Sequence, residues 1–186
     1  LYGGQNSVAK NYLFRFLTRS LIYHDSSPEA ELRRHRDEVR VLLAKGLYGQ
    51  ARKILKKSIK QAEELEEFVL LHDLLDQKMS LLPRLQNEKG LSSKLKKTYD
   101  QKIEVAKQIE EMNAYSYLHQ CTNILVHKRS RTEKEDGEEE LREILESDLL
   151  HKDTKRNSHR AEIAYLSILR NLSSYKGEID RAKNFA

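Results

Sequence analysis

Residues that interrupt regular structure are scarce in this chain. Among its 186 residues there are two prolines, seven glycines and no tryptophan, and the signal for β-strands is nearly absent. Hydrophobic residues make up 38% and charged residues 34% of the chain, a balance typical of long helices that keep one side in water. We therefore predict an all-α protein, and the length fits one helical domain over residues 1–186.

Long apolar runs and paired cysteines are missing as well. No apolar run exceeds about five residues, whereas a helix that spans a membrane needs roughly 20. Cys121 is the single cysteine, which excludes an internal disulfide, and no signal-peptide pattern opens the chain. We expect a cytoplasmic protein without a membrane partner. Because the first residue is Leu1 rather than methionine, removal of a leader segment stays open.

Patterns that mark common catalytic and metal sites are also absent. The chain contains no Gly-rich nucleotide loop, no GxSxG and no HExxH, which are the arrangements that hold phosphates, a serine nucleophile and zinc. The histidines include no pair at four-residue spacing, so no two of them face a metal from adjacent helical turns. The sequence predicts a protein that is not an enzyme and that uses neither a cofactor nor a metal.

Apolar residues recur at helical spacing and predict about seven helices. Ser27 and Pro28 suit the start of a helix over residues 28–45, and Gly46 suits its end because glycine tolerates the left-handed conformation. An amphipathic helix follows directly, so the two helices are expected to form an antiparallel hairpin. A much longer helix is predicted over residues 91–127.

Residues 128–140 stand apart from these helical stripes. They include no apolar residue, and a basic half is followed by an acidic half. Such a segment buries no apolar surface to offset the entropy of ordering it. We predict a mobile loop there.

Two glycine turns carry a recurring spacing. Gly46 is followed by Tyr48, Ala51 and Leu55, and Gly177 is followed by Ile179 and Ala182. This spacing resembles the inner half of a tetratricopeptide repeat, a family in which the glycine makes the turn and the alanine lets the two helices approach closely. The resemblance implies antiparallel helix hairpins stacked into an α-α superhelix.

The chain resembles a divergent form of this repeat. His35 and Glu38 stand where the family has large apolar residues, and Arg170 stands where it has a small one. The aromatic and basic opening, together with residues 45–48, further resembles uncharacterised bacterial repeat proteins. Nine residues follow Gly177, so the second helix of that hairpin has barely begun, and we expect a fragment of a longer repeat protein.

A binding surface is implied by the same resemblance. Arg33, Arg36 and Arg40 share one face of the helix over residues 28–45. In the resembled family, the corresponding face lines the concave groove. Arginine pairs a carboxylate with two parallel hydrogen bonds, so we expect a non-enzymatic scaffold that binds a protein or an acidic peptide through these arginines. An ordinary solvated helix face stays open as the alternative.

Two other functions are compatible with the sequence. The first is nucleic-acid binding, because the second helix of the hairpin carries a basic stripe made of Arg52, Lys53, Lys56, Lys57 and Lys60. Phosphate binding needs such a stripe to be unobstructed and extended by its neighbours, and the net charge of +5 comes from 34 basic and 29 acidic residues in close mixture. The second is a structural oligomer that packs through the long helix over residues 91–127.

Overall fold

The computed structural model describes residues 3–85, 89–130, 137–151 and 156–176. All regular structure in these ranges is helical, which confirms the all-α prediction. The described elements, in chain order, are α1 (Gly3–His24), α2 (Pro28–Ala44), α3 (Tyr48–Glu64), α4 (Phe68–Leu81), a 3-10 turn (Leu82–Arg84), α5 (Leu91–Ser130), α6 (Gly137–Leu145), α7 (Asp148–His151) and α8 (His159–Lys176).

The start of α2 follows the predicted capping chemistry. The Ser27 hydroxyl accepts a hydrogen bond from the Ala30 backbone N–H at 3.2 Å, and Pro28 occupies the first position of the helix. Ahead of this cap, Asp25 accepts a hydrogen bond from the Ser27 backbone N–H at 2.9 Å. That bond, together with the Ser27 side chain, holds the pKa of the Asp25 carboxyl below its usual value.

Two consecutive interhelical turns share one backbone geometry. After α2, Gly46 has φ +72°, and the N–H of Leu47 donates to the carbonyl of Leu42 at 2.9 Å. After α3, Glu66 has φ +52°, and the N–H of Glu67 donates to the carbonyl of Ala62 at 3.0 Å. Both are left-handed helix ends of the Schellman type. The sequence marks the first turn with a glycine, whereas the second places a glutamate in the same conformation.

The first hydrophobic core lies among α2, α3, α4 and the first half of α5. Helix α4 is the central element because it packs against the other three, and apolar side chains cover more than one of its sides. The buried members of this core are Leu32, Val39, Ala51, Leu55, Ala62, Phe68, Leu70, Leu71, Leu74, Leu75, Leu81 and Val105.

The second hydrophobic core lies between the second half of α5 and helices α6 and α8. Its buried members are Tyr115, Leu118, Leu125, Ile144, Ala161, Ile168 and Leu172. A polar link joins α5 to α8: the Asn171 amide donates to Thr122 Oγ1 at 3.1 Å and to Asn123 Oδ1 at 2.7 Å. Helix α5 therefore forms a wall of both cores.

Helix α1 is a long helix with no buried side chain among its described residues. Its apolar residues lie on every side of the helix axis rather than on one face, and none of them belongs to either hydrophobic core. Its large apolar side chains are all more than half exposed, and they are Val8, Tyr12, Leu13, Phe14, Phe16, Leu17, Leu21, Ile22 and Tyr23. Among the described helices, none combines the length and the apolar character needed to pass through a bilayer.

Several predicted boundaries shift. The long helix continues past His127 to Ser130, and α6 begins at Gly137, so both ends of the segment predicted as a loop over residues 128–140 are helical. The intervening residues 131–136 lie outside the described residues, and so does the second glycine turn at Gly177.

Candidate functional site: a basic cleft

A cleft opens between α3 and α5, above the C-terminal end of α4. Both α3 and α5 pack against α4, and the two are joined further along where the Gln101 amide donates to Glu63 Oε1 at 2.6 Å. Toward the N-terminal ends of α3 and α5, the cleft encloses about 350 Å³. This volume falls within the range of small ligand pockets and suffices for one or two large side chains.

Aliphatic side chains from three elements make the floor of this cleft. Helix α3, the end of α4 and the 3-10 turn bring them together because each element turns its apolar face toward the first core. These floor residues are Leu55, Ile59, Leu81, Leu82 and Leu85. Beside them, Thr98 is buried with its hydroxyl bonded to the Lys94 carbonyl of its own helix at 2.9 Å, so it does not make the floor polar.

Basic side chains line the walls of the cleft. They come from three helices and are Arg52 and Lys56 of α3, Lys78 of α4, and Lys94 and Lys97 of α5. No acidic side chain is among the described residues that line it. We call these five cations, with the aliphatic floor beneath them, the basic cleft.

Lys78 is partly buried, whereas the other four cations of the cleft are exposed. Burial lowers its pKa, Lys97 lowers it further by charge repulsion, and Glu63 partly opposes the effect. A lysine in this position gains from any anion that enters, because the anion compensates charge that the protein does not fully neutralise. The basic cleft is therefore suited to a ligand that carries both negative charge and apolar surface.

The predicted basic stripe of α3 divides into two parts. Arg52 and Lys56 line the basic cleft, where cations of α4 and α5 extend them as phosphate or carboxylate binding requires. Lys57 instead pairs with Glu31 of α2 at 3.7 Å, and Lys60 pairs with Glu64 at 3.4 Å. Lys53 is exposed and lies outside the cleft.

The three arginines predicted as a binding site lie on one face of α2, but they differ in environment. Arg36 bonds Asp37 at 3.0 Å and Asp73 of α4 at 3.3 Å, so its guanidinium joins two helices. Arg33 lies 3.8 Å from Asp25. Arg40 is exposed and makes no ion pair with a described acidic side chain. These arginines thus lie on one side of α2, and the guanidinium of Arg36 is already paired with acidic side chains of the same chain.

Metal-ligating residues do not cluster in the part of the chain that the structure describes. No group of three histidine, cysteine, aspartate or glutamate side chains there is placed to hold a metal ion. His35, for example, faces Glu31 of its own helix at 3.7 Å, and Cys121 lies beside Tyr117, whose pKa rises through a hydrogen bond to the thiol.

Sequence reasoning finds the α3 half of the basic cleft and misses the rest. Lys94 and Lys97 lie three residues apart, which places them on one side of α5. The sequence of residues 94–97 does not indicate which other helix this side of α5 faces. Lys78 is hidden within an apolar helix. The signal that is missing from the sequence is the position of α3 beside α5 across the end of α4.

Comparison with known protein families, with curated proteins and with solved structures finds no match to this chain. We therefore base the functional proposal on the geometry of the site.

Proposed function

We propose that this protein is a non-enzymatic interaction scaffold that binds an acidic segment of another protein. The observation that carries the proposal is the basic cleft, in which cations from three helices surround an aliphatic floor with no acidic residue among the described lining. Helix hairpins of the kind formed around Gly46 suit this role because they hold side chains from several helices in a fixed arrangement. A divergent tetratricopeptide-like array in the cytoplasm is part of this proposal.

The surroundings of the basic cleft favour a local acidic segment over a long polyanion. Lys57 and Lys60, which would extend the α3 stripe, are paired with Glu31 and Glu64. Basic and acidic residues, 34 and 29 in number, also alternate along the chain, a pattern that disfavours a continuous phosphate track over the described surface. On α2, Arg40 offers an additional exposed cation for the same class of partner.

Charge reversal in the basic cleft tests the proposal. The cleft variant combines Lys56→Glu with Lys97→Glu, since neither lysine pairs with a described acidic side chain. The matched control is Lys53→Glu, which changes charge on the same helix but outside the cleft. We expect the wild type and the control to capture a protein that the cleft variant does not. The affinity of that protein for each purified chain is then measured by direct titration. Equal binding by all three chains would refute the proposal.

Nucleic-acid binding is the second candidate, and one observation favours it. The cations of α4 and α5 extend the stripe of α3, which meets the requirement for a phosphate site. Against it, no aromatic side chain is among the described residues that line the cleft, and these residues offer no ring on which bases could stack. A single-stranded RNA whose affinity exceeds that of every acidic protein, and whose binding constant falls steeply with salt, would establish this alternative.

A further inference from the structure

We propose that the basic cleft recognises a short peptide segment in which a large apolar side chain is flanked by carboxylates, with the apolar group seated on the aliphatic floor. This inference deepens the proposed function and rests on it, because it specifies the partner segment that the scaffold selects. It follows from three features, namely the floor of the cleft, the placement of its cations, and the negative charge of Glu63 beyond one end of it.

The floor selects for apolar surface. Leu81 and Leu82 are buried, while Ile59 and Leu85 are only half-buried, so part of this aliphatic surface contacts water when the cleft is empty. A cleft that recognised phosphate alone would gain nothing from that surface. A leucine or phenylalanine side chain would remove it from water and would fit within the volume of about 350 Å³.

The cations require negative charge on both sides of that apolar group. Lys56 stands on the α3 wall and Lys97 on the α5 wall, and neither pairs with an acidic side chain among the described residues. Acidic residues on either side of the apolar side chain satisfy both walls, with charge-assisted hydrogen bonds that also fix the register of the segment.

The charge of Glu63 gives the segment a direction. Glu63 lies outside the cleft lining, further along α3, and its carboxylate accepts a hydrogen bond from the Gln101 amide of α5 at 2.6 Å. It also interacts electrostatically with Lys78. Acidic residues of the partner are repelled by Glu63, so the segment carries more negative charge at the end of the cleft away from it.

A matched set of synthetic peptides tests this inference on the intact chain. The first peptide carries one leucine between glutamates. The second replaces the leucine with serine, and the third replaces the glutamates with glutamine. We expect each replacement to weaken binding by about tenfold or more, because each removes either the buried apolar group or the charge-assisted bonds. Fluorescence anisotropy and calorimetry measure the affinities.

Variants of the protein locate the binding. Lys56→Met with Lys97→Met keeps much of the side-chain volume and removes both charges, so it should weaken the first peptide by about tenfold and leave the third nearly unchanged. Lys53→Met should bind like the wild type. Unfolding curves identify any variant that has lost its fold, and the peptide series on the wild type alone still decides the inference in that case.

Several results would overturn the inference. They are equal binding of the serine and leucine peptides, equal binding of the glutamine and glutamate peptides, or preference for laurate or a single-stranded RNA over every peptide. The proposed function can fail separately from this inference. If the peptides show the expected order of affinity but no protein depends on the cleft in the charge-reversal experiment, the peptide preference stands and the scaffold function is refuted. If a protein partner depends on the cleft but the serine and leucine peptides bind equally, the scaffold function stands and the proposed segment is refuted.

Discussion

The carboxylate of Glu66, in the turn between α3 and α4, caps the start of α8 by accepting a hydrogen bond from the backbone N–H of His159 at 2.9 Å. Its second oxygen accepts from the backbone N–H of Arg160 at 3.1 Å. Helix starts leave such N–H groups without partners inside the helix, and negative charge there also interacts favourably with the helix dipole. A residue strained by its positive φ thus connects the first core to the second.

Substitution of Glu66 should separate backbone strain from capping. Glu66→Ala keeps the left-handed backbone and loses the cap, so we expect a loss of about 1 kcal/mol in the free energy of unfolding. Glu66→Gly loses the same cap but relieves a strain of roughly 1 kcal/mol, and it should therefore be the less destabilised variant. Urea unfolding measures both. A glycine variant as unstable as the alanine variant would show that the φ of Glu66 is not strained.

Removal of Arg36 should reduce stability, and removal of Arg40 should not. Arg36 joins α2 to α4 through Asp73 at 3.3 Å with its side chain 32% exposed, so Arg36→Ala is expected to cost about 0.5–1 kcal/mol. Arg40→Ala lies on an exposed face without a described ion pair and should stay within about 0.5 kcal/mol of the wild type. Thermal and urea unfolding give both values.

A double substitution on the same helix face tests the predicted arginine site in binding. If the α2 face contributes to an acidic partner, Arg33→Ala combined with Arg40→Ala should weaken it by roughly 1–3 kcal/mol while the melting temperature hardly changes. Unchanged affinity in calorimetric titration would confine the contact to the basic cleft.

Lys78 should make stability depend on pH in the alkaline range. Burial first, and Lys97 second, lower the pKa of Lys78 from its ordinary value of 10.5. Between the lowered pKa and 10.5, the folded chain binds fewer protons at this site than the unfolded chain, so the contribution of Lys78 to the free energy of unfolding rises with pH across that window. The difference between wild type and Lys78→Met isolates this slope.

Lysine NMR gives a second measurement of the same site. Lys78 should titrate below the ordinary lysine value of 10.5, and a bound acidic peptide should move its pKa upward. Titration of Lys78 at or above 10.5 in the free chain would contradict its burial, and an unmoved pKa on saturation with peptide would place the peptide elsewhere.

Tyr115 should stabilise the second core through its hydroxyl as well as its ring. The buried hydroxyl donates to the Leu149 carbonyl at 3.1 Å and accepts from Arg156 Nε at 3.2 Å. Tyr115→Phe leaves both groups with one partner fewer and should cost about 1–3 kcal/mol. Tyr165→Phe is the control, because Arg156 stacks on that ring at 3.6 Å and the ring remains. Equal stability of the two variants would assign the role of Tyr115 to packing alone.

Local patterns in the sequence predict the helices well. Ser27 and Pro28 locate the start of α2, and Gly46 locates its end, because caps and left-handed residues act over one helical turn. The apolar spacing of Ala51 and Leu55 predicts which side of α3 is buried for the same reason. Each of these predictions depends on neighbours that are close along the chain.

Relationships between distant residues escape the sequence. In the sequence, Glu66 resembles any other member of an acidic cluster. Only the folded structure shows that it contacts the backbone of His159, 93 residues later, and so caps α8. The basic cleft depends on Lys56 and Lys97, which belong to separate helices that α4 brings side by side. Arg36 illustrates the converse. Its spacing in the sequence predicts that it binds a partner, whereas in the fold it forms an ion pair with Asp73 of α4.

The continuous helix α5 also fixes a distance. At about 1.5 Å per residue, roughly 37 Å of helix separate Lys97 in the basic cleft from Thr122, where Asn171 attaches α8. The Glu66 cap and the Asn171 link hold α8 at two places, so α8 neither slides along α5 nor rotates about it without breaking buried or capping hydrogen bonds. The fold therefore fixes the distance between the basic cleft and α8, and a ligand seated in the cleft would lie at a set separation from α8.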